Sequence, residues 1–410
     1  GELALAEEAP TGNYTIQAAF DGNPAQPKSG METYSASFLV AEFRKPDFEV
    51  KVSSDKKEYI QGDDVAISAG SNYFFGAPMA DAKVTWQVFQ KPYEFEGLQD
   101  VVDGPFSFSD HDEGTSSPTF NPGPRPIASG EGRTDDSGAF TFRLRSDIAK
   151  ETMGQNFTFE VMVTDANNQQ VVGRSEATIH KGTFYIGVRP RPRVVAAGKS
   201  VGIDLITENT QAFAVSNKAI DLQLFEQKWY SVQEKGPDGR FSWTSKVDSV
   251  LVSRATTMSD GEGKANTSLI LPKAGSYKIL ATGKDERGNE VRSSTYVYAS
   301  GSDMVYWKVE NNDRIDLIAD KPSYKPGETA KVLIPSPFPK AKALLTIERG
   351  HIMSYQTLDI NSTSQVVEIP VESAHVPNVY VSIVLLRSEA DGGGRADFKM
   401  GYVELPVRAD

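Results

Sequence analysis

The 410-residue sequence contains no cysteine. Structural disulfides, thiol nucleophiles and thiolate metal sites are therefore excluded from it, although that absence alone fixes no compartment. Sustained helical periodicity is also missing: no stretch of about a dozen residues holds a capped apolar stripe of period 3.6. Only Asp147-Ile148-Ala149-Lys150-Glu151 suggests a single short turn. No apolar run approaches the roughly 18 residues of a membrane-spanning helix. The opening Gly1-Glu2-Leu3 carries neither Met nor a signal peptide, so both ends are expected to be boundaries of an excised piece. Dense Lys/Arg runs are absent too, and a net charge of −12 with a pI near 5.0 argues against a nucleic-acid partner.

What is present is punctuation and alternation. The 34 Gly and 23 Pro are spread along the chain and divide it into short elements, which argues against low-complexity disorder. The modest apolar fraction, 39%, suits many strands that each give one face to water. The length predicts three or four domains of about 100–150 residues.

A repeat organises these strands. Phe48-Glu49-Val50-Lys51-Val52 leads to Glu58-Tyr59-Ile60-Gln61-Gly62-Asp63 and then to Val65-Ala66-Ile67. Phe184-Tyr185-Ile186-Gly187-Val188 leads, at the same spacing, to Ala197-Gly198-Lys199 and Val201-Gly202-Ile203. A third copy runs from Ile315-Asp316-Leu317-Ile318 through Tyr324-Lys325-Pro326-Gly327 to Ala330-Lys331-Val332. Each opening is followed by a further alternating strand, beginning at Ala82, Ala219 and Ala341. Closing halves repeat as well, around Tyr14, Phe157, Tyr277 and Tyr380. The first closing half has no opening half before it, so residues 1–45 read as the tail of a truncated domain.

Period-2 alternation with β-branched and aromatic enrichment predicts an all-β chain of tandem antiparallel seven-stranded β-sandwiches of the fibronectin- or immunoglobulin-like kind. The expected domains are 1–45 (a closing half), 46–180, 181–300 and 301–410. The junctions are short, which favours a semi-rigid string over beads on a tether.

Specific strings carry a family resemblance that the sandwich pattern alone does not. Asp320-Lys321-Pro322-Ser323-Tyr324-Lys325-Pro326-Gly327-Glu328, Ser336-Pro337-Phe338, Ala343-Leu344-Leu345-Thr346-Ile347-Glu348-Arg349-Gly350 and Val376-Pro377-Asn378-Val379-Tyr380 resemble the bacterial alpha-2-macroglobulins. Glu42-Phe43-Arg44-Lys45-Pro46-Asp47-Phe48 looks like that family's junction between macroglobulin-like domains. The last domain is the most specific match and residues 181–300 the weakest. The resemblance implies an endopeptidase inhibitor in which a protease cuts an exposed bait and is then trapped, often through a thioester joining a Cys to a Gln three residues on. Without cysteine this sequence holds no thioester. The bait is expected after Asp410, although the signature over 301–410 is commonly grouped with the bait region. The implied role is scaffold: not an enzyme, with no catalytic, cofactor-binding or metal-binding residue and no small-molecule substrate. Its partners would be proteases met through the parent protein, together with cell-envelope components. Its location would be periplasmic or envelope-associated, with the parent possibly a lipoprotein.

Candidate sites are weighed against plainer readings. His111, His180, His351 and His375 are too scattered for a ligand or catalytic spacing and read as structural. Asp110-His111-Asp112-Glu113 has metal-binding chemistry but lies in a Gly/Ser/Pro-rich loop where carboxylates are usually solvated. Thr134-Asp135-Asp136-Ser137-Gly138 and Ser259-Asp260-Gly261-Glu262-Gly263 lack calcium-loop spacing and read as Asx-type hairpin turns. Gly392-Gly393-Gly394 reads as a flexible loop tip and not a phosphate cradle. Trp86, Trp229, Trp243 and Trp307 raise the alternative of a carbohydrate-binding, Ig-like surface adhesin or stalk, yet Trp86 shares the core-facing phase of Val84 and Val88.

Residues 91–128 form an insertion in the first complete domain. A protease-accessible, bait-like loop is one reading. The supply of Tyr93, Phe95, Phe106, Phe108 and Phe120 favours an ordered loop packed on its own sandwich or on a neighbouring one, with Phe106 and Phe108 buried.

Overall fold

A computed structural model of the chain describes residues 12–19, 33–40, 47–98, 104–111, 123–235, 241–310, 312–388 and 396–409. Among them every regular element is a strand, apart from the 3-10 turn Ser373–His375. The chain is all-β, and apart from the two-stranded sheet of the first hairpin its sheets face one another in pairs across apolar cores.

β1 (Gly12–Ala19) and β2 (Thr33–Val40) form an antiparallel hairpin with Gly12 opposite Val40. Next, β3 (Phe48–Ser54), β5 (Asp64–Tyr73) and β8 (Ala139–Arg145) make a three-stranded sheet. It faces a five-stranded one, β4-β10-β9-β6-β7, built from β4 (Glu58–Ile60), β6 (Lys83–Tyr93), β7 (Arg125–Arg133), β9 (Gly154–Thr164) and β10 (Gln170–His180). Side chains of period 2 meet between them. Val65 and Ile67 come from one sheet and Val88, Phe157 and Phe159 from the other. Each such side chain withdrawn from water contributes about 2 kcal/mol.

The second sandwich repeats the order. β11 (Phe184–Arg191), β13 (Ser200–Asn209) and β16 (Lys264–Ile270) face β12-β18-β17-β14-β15, formed by β12 (Val194–Ala196), β14 (Ala219–Lys235), β15 (Phe241–Met258), β17 (Gly275–Lys284) and β18 (Glu290–Ser300). The third sets β19 (Ile318–Ala319), β20 (Thr329–Pro335) and β23 (Ser364–Pro370) against β22-β21-β24-β25. These four are β21 (Ala341–Glu348), β22 (Ile352–Ile360), β24 (Asn378–Arg387) and β25 (Asp397–Pro406).

The opening strand differs from the simple alternating pattern. In the first two sandwiches it divides, its first part pairing antiparallel in the small sheet and its second part crossing to run parallel to the last strand of the other. In the first sandwich the crossing is fixed by Asp55, whose Oδ1 accepts from the Tyr59 hydroxyl at 2.6 Å and from the Ala66 N–H at 2.9 Å. The third sandwich duplicates this knot: Asp320 Oδ1 accepts from the Tyr324 hydroxyl at 2.8 Å and from the Lys331 N–H at 2.9 Å. Its opening strand is shorter than the alternation over Ile315–Ile318 predicts, because the Ile315 N–H donates to the Met400 carbonyl instead of entering the small sheet.

The hairpin β14–β15 runs past its sheet. β17 pairs only with Asp221–Gln227, so the outer part of the hairpin is a two-stranded arm. One face of the arm lies on the segment that leads into the third sandwich: Trp229 is buried beneath the Lys308 ammonium, and Ser245 Oγ donates to the Val309 carbonyl at 2.8 Å.

Candidate functional site

The connection between β6 and β7 reaches from the first sandwich onto the second. β6 ends at Tyr93 and β7 begins at Arg125, and residues 104–111 of the connection lie on the second sandwich as a strap. Ser107 makes two backbone hydrogen bonds with Val188 of β11, N–H to carbonyl in each direction, at 3.0 and 2.9 Å. The strap thereby caps the outer edge of β11, which would otherwise expose unpaired backbone groups.

Aromatic packing holds the middle of the strap. Phe95 and Phe108 are 7% and 5% exposed and pack edge to face, and Phe95 stacks flat on Tyr185. Ile206 closes the cluster. Phe106 is half-buried beneath the Arg189 guanidinium, 4.2 Å from its ring centre, and that guanidinium donates to the Gly104 carbonyl at 3.0 Å. There is no room for a side chain here: a Cβ on Gly97 or Gly187 would strike the Phe108 ring at 2.3 and 2.8 Å.

The polar end is ionic. Asp110 is buried between Lys278 and Arg292, 2.7 Å from each. Burial pushes its carboxyl up, but the Lys278 hydrogen bond and the two cationic charges outweigh that and hold the pKa below the usual value of 3.8. Around this pair the Ser109 carbonyl accepts from the Ser294 N–H, and the His111 carbonyl accepts from the Tyr296 hydroxyl, both at 3.0 Å. Beyond Gly104, whose φ of +86° suits glycine, a Cβ would approach Pro322 of the third sandwich to 2.9 Å. A cleft of about 720 Å³ opens where the three meet, lined by Pro105, Phe106, Arg189, Arg193, Tyr298 and Pro322 among others.

The insertion is therefore ordered over its described residues and packed on the neighbouring sandwich. Phe95 and Phe108 carry it, Phe106 is only half-buried, and Phe120 lies outside the described residues, as does the Gly392-Gly393-Gly394 run.

The histidines are not brought together. His111 lies in the strap, 3.7 Å from the Glu94 carboxylate. His351 is exposed, and His375 is buried, with Nδ1 accepting from the Glu372 N–H. His180 is 1% exposed at the joint between the first and second sandwiches, where Nδ1 meets the Tyr185 hydroxyl at 2.7 Å and Nε2 is 3.8 Å from Glu58. Burial lowers its pKa against the pull of Glu58.

Asp112 and Glu113 are outside the described residues, and Asp110 is engaged by its two cations. Among the described residues no group of three or more His, Asp or Glu is arranged to hold a metal.

Asp135 and Asp260 sit in hairpin turns as Asx residues. Asp135 Oδ1 accepts from the Ser137 and Ala139 N–H groups at 2.9 Å, and Asp260 Oδ1 from those of Glu262 and Lys264 at 2.8 and 2.9 Å. Trp86 stacks on Phe142 between the sheets, and Trp307 is buried in the seam between the second and third sandwiches, its indole donating to the Thr363 carbonyl at 2.6 Å. The Trp243 side chain is outside the described ones.

The fold is thus a tandem array of antiparallel β-sandwiches, the first strapped to the second. Comparison with known proteins adds a family resemblance. The alpha-2-macroglobulin bait region domain matches residues 315–410, which include the whole third sandwich. The chain is 25% identical over 389 residues to an alpha-2-macroglobulin homolog of Nostoc sp., covering 94% of this chain and 19% of that protein. It is 23% identical over 399 residues to an alpha-2-macroglobulin of Thermotoga maritima, covering 96% and 20%. Among solved structures, the native conformation of the Escherichia coli alpha-2-macroglobulin aligns at a TM-score of 0.46 and 19% identity, over 99% of this chain and 25% of that one. The chain spans about a fifth of the length of the curated relatives it matches. The resemblance to bacterial alpha-2-macroglobulins read from the sequence strings is borne out.

Proposed function

We propose that this chain is a scaffold segment of a bacterial alpha-2-macroglobulin, a protease inhibitor that traps attacking endopeptidases after its bait is cut. The carrying observation is the bait region match over 315–410 within a chain similar along 94% of its length to one such protein. The segment supplies the closing half of one sandwich (1–45) and three complete ones (46–180, 181–300 and 301–410), and it performs no chemistry of its own.

The strap supports this reading. Protease capture needs an open, cuttable segment and, in thioester members, a cysteine nucleophile. Residues 104–111 are instead held by aromatic packing and a buried ion pair. The partners are proteases, met through the longer protein in the periplasm or at the cell envelope.

The test compares two proteins against several endopeptidases. The longer protein should abolish their cutting of a large protein substrate and form a high-mass complex on gels. The 410-residue chain alone should leave the same proteases active and free. Undiminished cutting with both proteins removes the inhibitor reading, and a stoichiometric adduct with the short chain places capture in this segment.

A further inference from the structure

The tip of the β5–β6 turn carries two adjacent exposed aromatics, Phe74 at 61% and Phe75 at 80%. Among the described residues Phe75 stacks on Tyr73 of its own turn, with ring centroids 5.1 Å apart, and no core of the first sandwich takes in either ring. The second sandwich holds the same turn at the same place. The offset that carries Phe48 onto Phe184 carries Tyr73 onto Asn209, and both pairs are strand partners. The turns then match bond for bond. Tyr73 N–H donates to Ala77 as Asn209 N–H does to Phe213, and Gly76 N–H donates back to Tyr73 as Ala212 N–H does to Asn209. Gly76 and Ala212 share a positive φ.

In the second sandwich this turn belongs to the joint with the sandwich before it. Gln211 donates to the Glu58 carboxylate at 3.2 Å, beside the Arg287–Asp63 ion pair at 2.6 Å. The same offset places Phe75 where Gln211 stands. Asp165, at the β9–β10 turn, likewise matches Asp285, since each accepts from the N–H groups two and four residues on.

We infer that Phe74 and Phe75 are a docking surface for the sandwich that precedes Phe48, the one closed by β1 and β2. The first sandwich would meet its predecessor in the same geometry in which the second meets the first, with an apolar contact in place of the Gln211–Glu58 hydrogen bond. The surface touched would be the short crossing strand of that preceding sandwich, the counterpart of β4. The inference rests on the proposed reading of residues 1–45 as a closing half.

The test is photo-crosslinking in the longer protein, with p-benzoylphenylalanine at position 75 and, as a control, at position 211. Position 211 should link to the strand around Glu58. Position 75 should link, within the same molecule, to the sandwich preceding Phe48, and Phe75→Asp should raise the rate of limited proteolysis of that sandwich at least tenfold. Overturning results are no adduct from 75 while 211 links, or an adduct to a second molecule only. If β1 and β2 are cut in the native protein as fast as in the denatured one, the closing-half reading itself fails, whatever the crosslinks show.

Discussion

Phe95 lies flat on Tyr185, ring centroids 4.0 Å apart and planes 2° from parallel, although the two residues come from different sandwiches. Parallel stacking of this kind adds about 1 kcal/mol to the burial of the rings. Phe108 completes the contact from the strap. Phe108→Ala should therefore cost about 3 kcal/mol by leaving a cavity. Expected outcomes are a lower urea midpoint and a strap that becomes the first site of limited proteolysis, whereas the native strap resists it. Rapid cutting of the unmodified strap by unrelated proteases would contradict the packing.

Asp110 gives a second prediction. Removing a carboxylate from between two cations leaves buried charge uncompensated, at about 3 kcal/mol, the low end of the usual range because Arg292 keeps some solvent. Asp110→Ala should show that loss in equilibrium denaturation at neutral pH. The folded pKa lies below the unfolded one, so the contribution is present above about pH 3.8 and is lost as pH falls through the folded value. The variant should show a flatter acid limb than the native chain.

His180 titrates in a different window. Its folded pKa is depressed below 6.5 by burial, so the unfolded chain takes up the proton first and stability is lost as pH falls below 6.5 towards the folded value. Urea midpoints measured at several pH values between 7.5 and 5 should fall for the native chain. For His180→Gln they should fall less, and equal slopes would show that the imidazole is not the group responsible.

The duplicated knots give a fourth. Burial and then the Asp55 hydrogen bond push the Tyr59 hydroxyl up to about 12, so it stays a donor at any ordinary pH. Tyr59→Phe and Tyr324→Phe should each cost about 2 kcal/mol, because each hydroxyl donates to a carboxylate and accepts from a backbone N–H, that of Lys56 or Lys321, and should do so independently because the knots lie in separate sandwiches. Thermal or chemical denaturation of the single and double variants measures both.

Much of the fold was legible because alternation is a local signal. Val65-Ala66-Ile67 and its copies announce which face is buried without reference to any distant residue, and Phe48 and Phe184 keep the same distance to their glycines. The destination of the strap was not legible. Phe95 and Phe108 say that the segment must pack, but Tyr185 and Ile206, which receive it, look in sequence like ordinary strand residues. The knots were present in the sequence and were missed. Asp55 and Tyr59 share with Asp320 and Tyr324 a four-residue spacing and a strand N–H further on, a polar signal that hydrophobic periodicity passes over. The arm beyond Gln227 was missed for a related reason: its length follows from cross-strand pairing and not from alternation alone.

The strap also changes what kind of joint links the first two sandwiches. The main chain passes between them once, through the few residues from His180 to Phe184, and a body held at one point is free to pivot about any axis. Ser107, bonded to Val188, is a second point of attachment set apart from the first. Gln211, bonded to Glu58, and Arg287, paired with Asp63, add further points across the same joint. A body tied to its neighbour at several separate points has no free pivot, so while Asp110 and Phe108 stay seated the two sandwiches turn together as one unit.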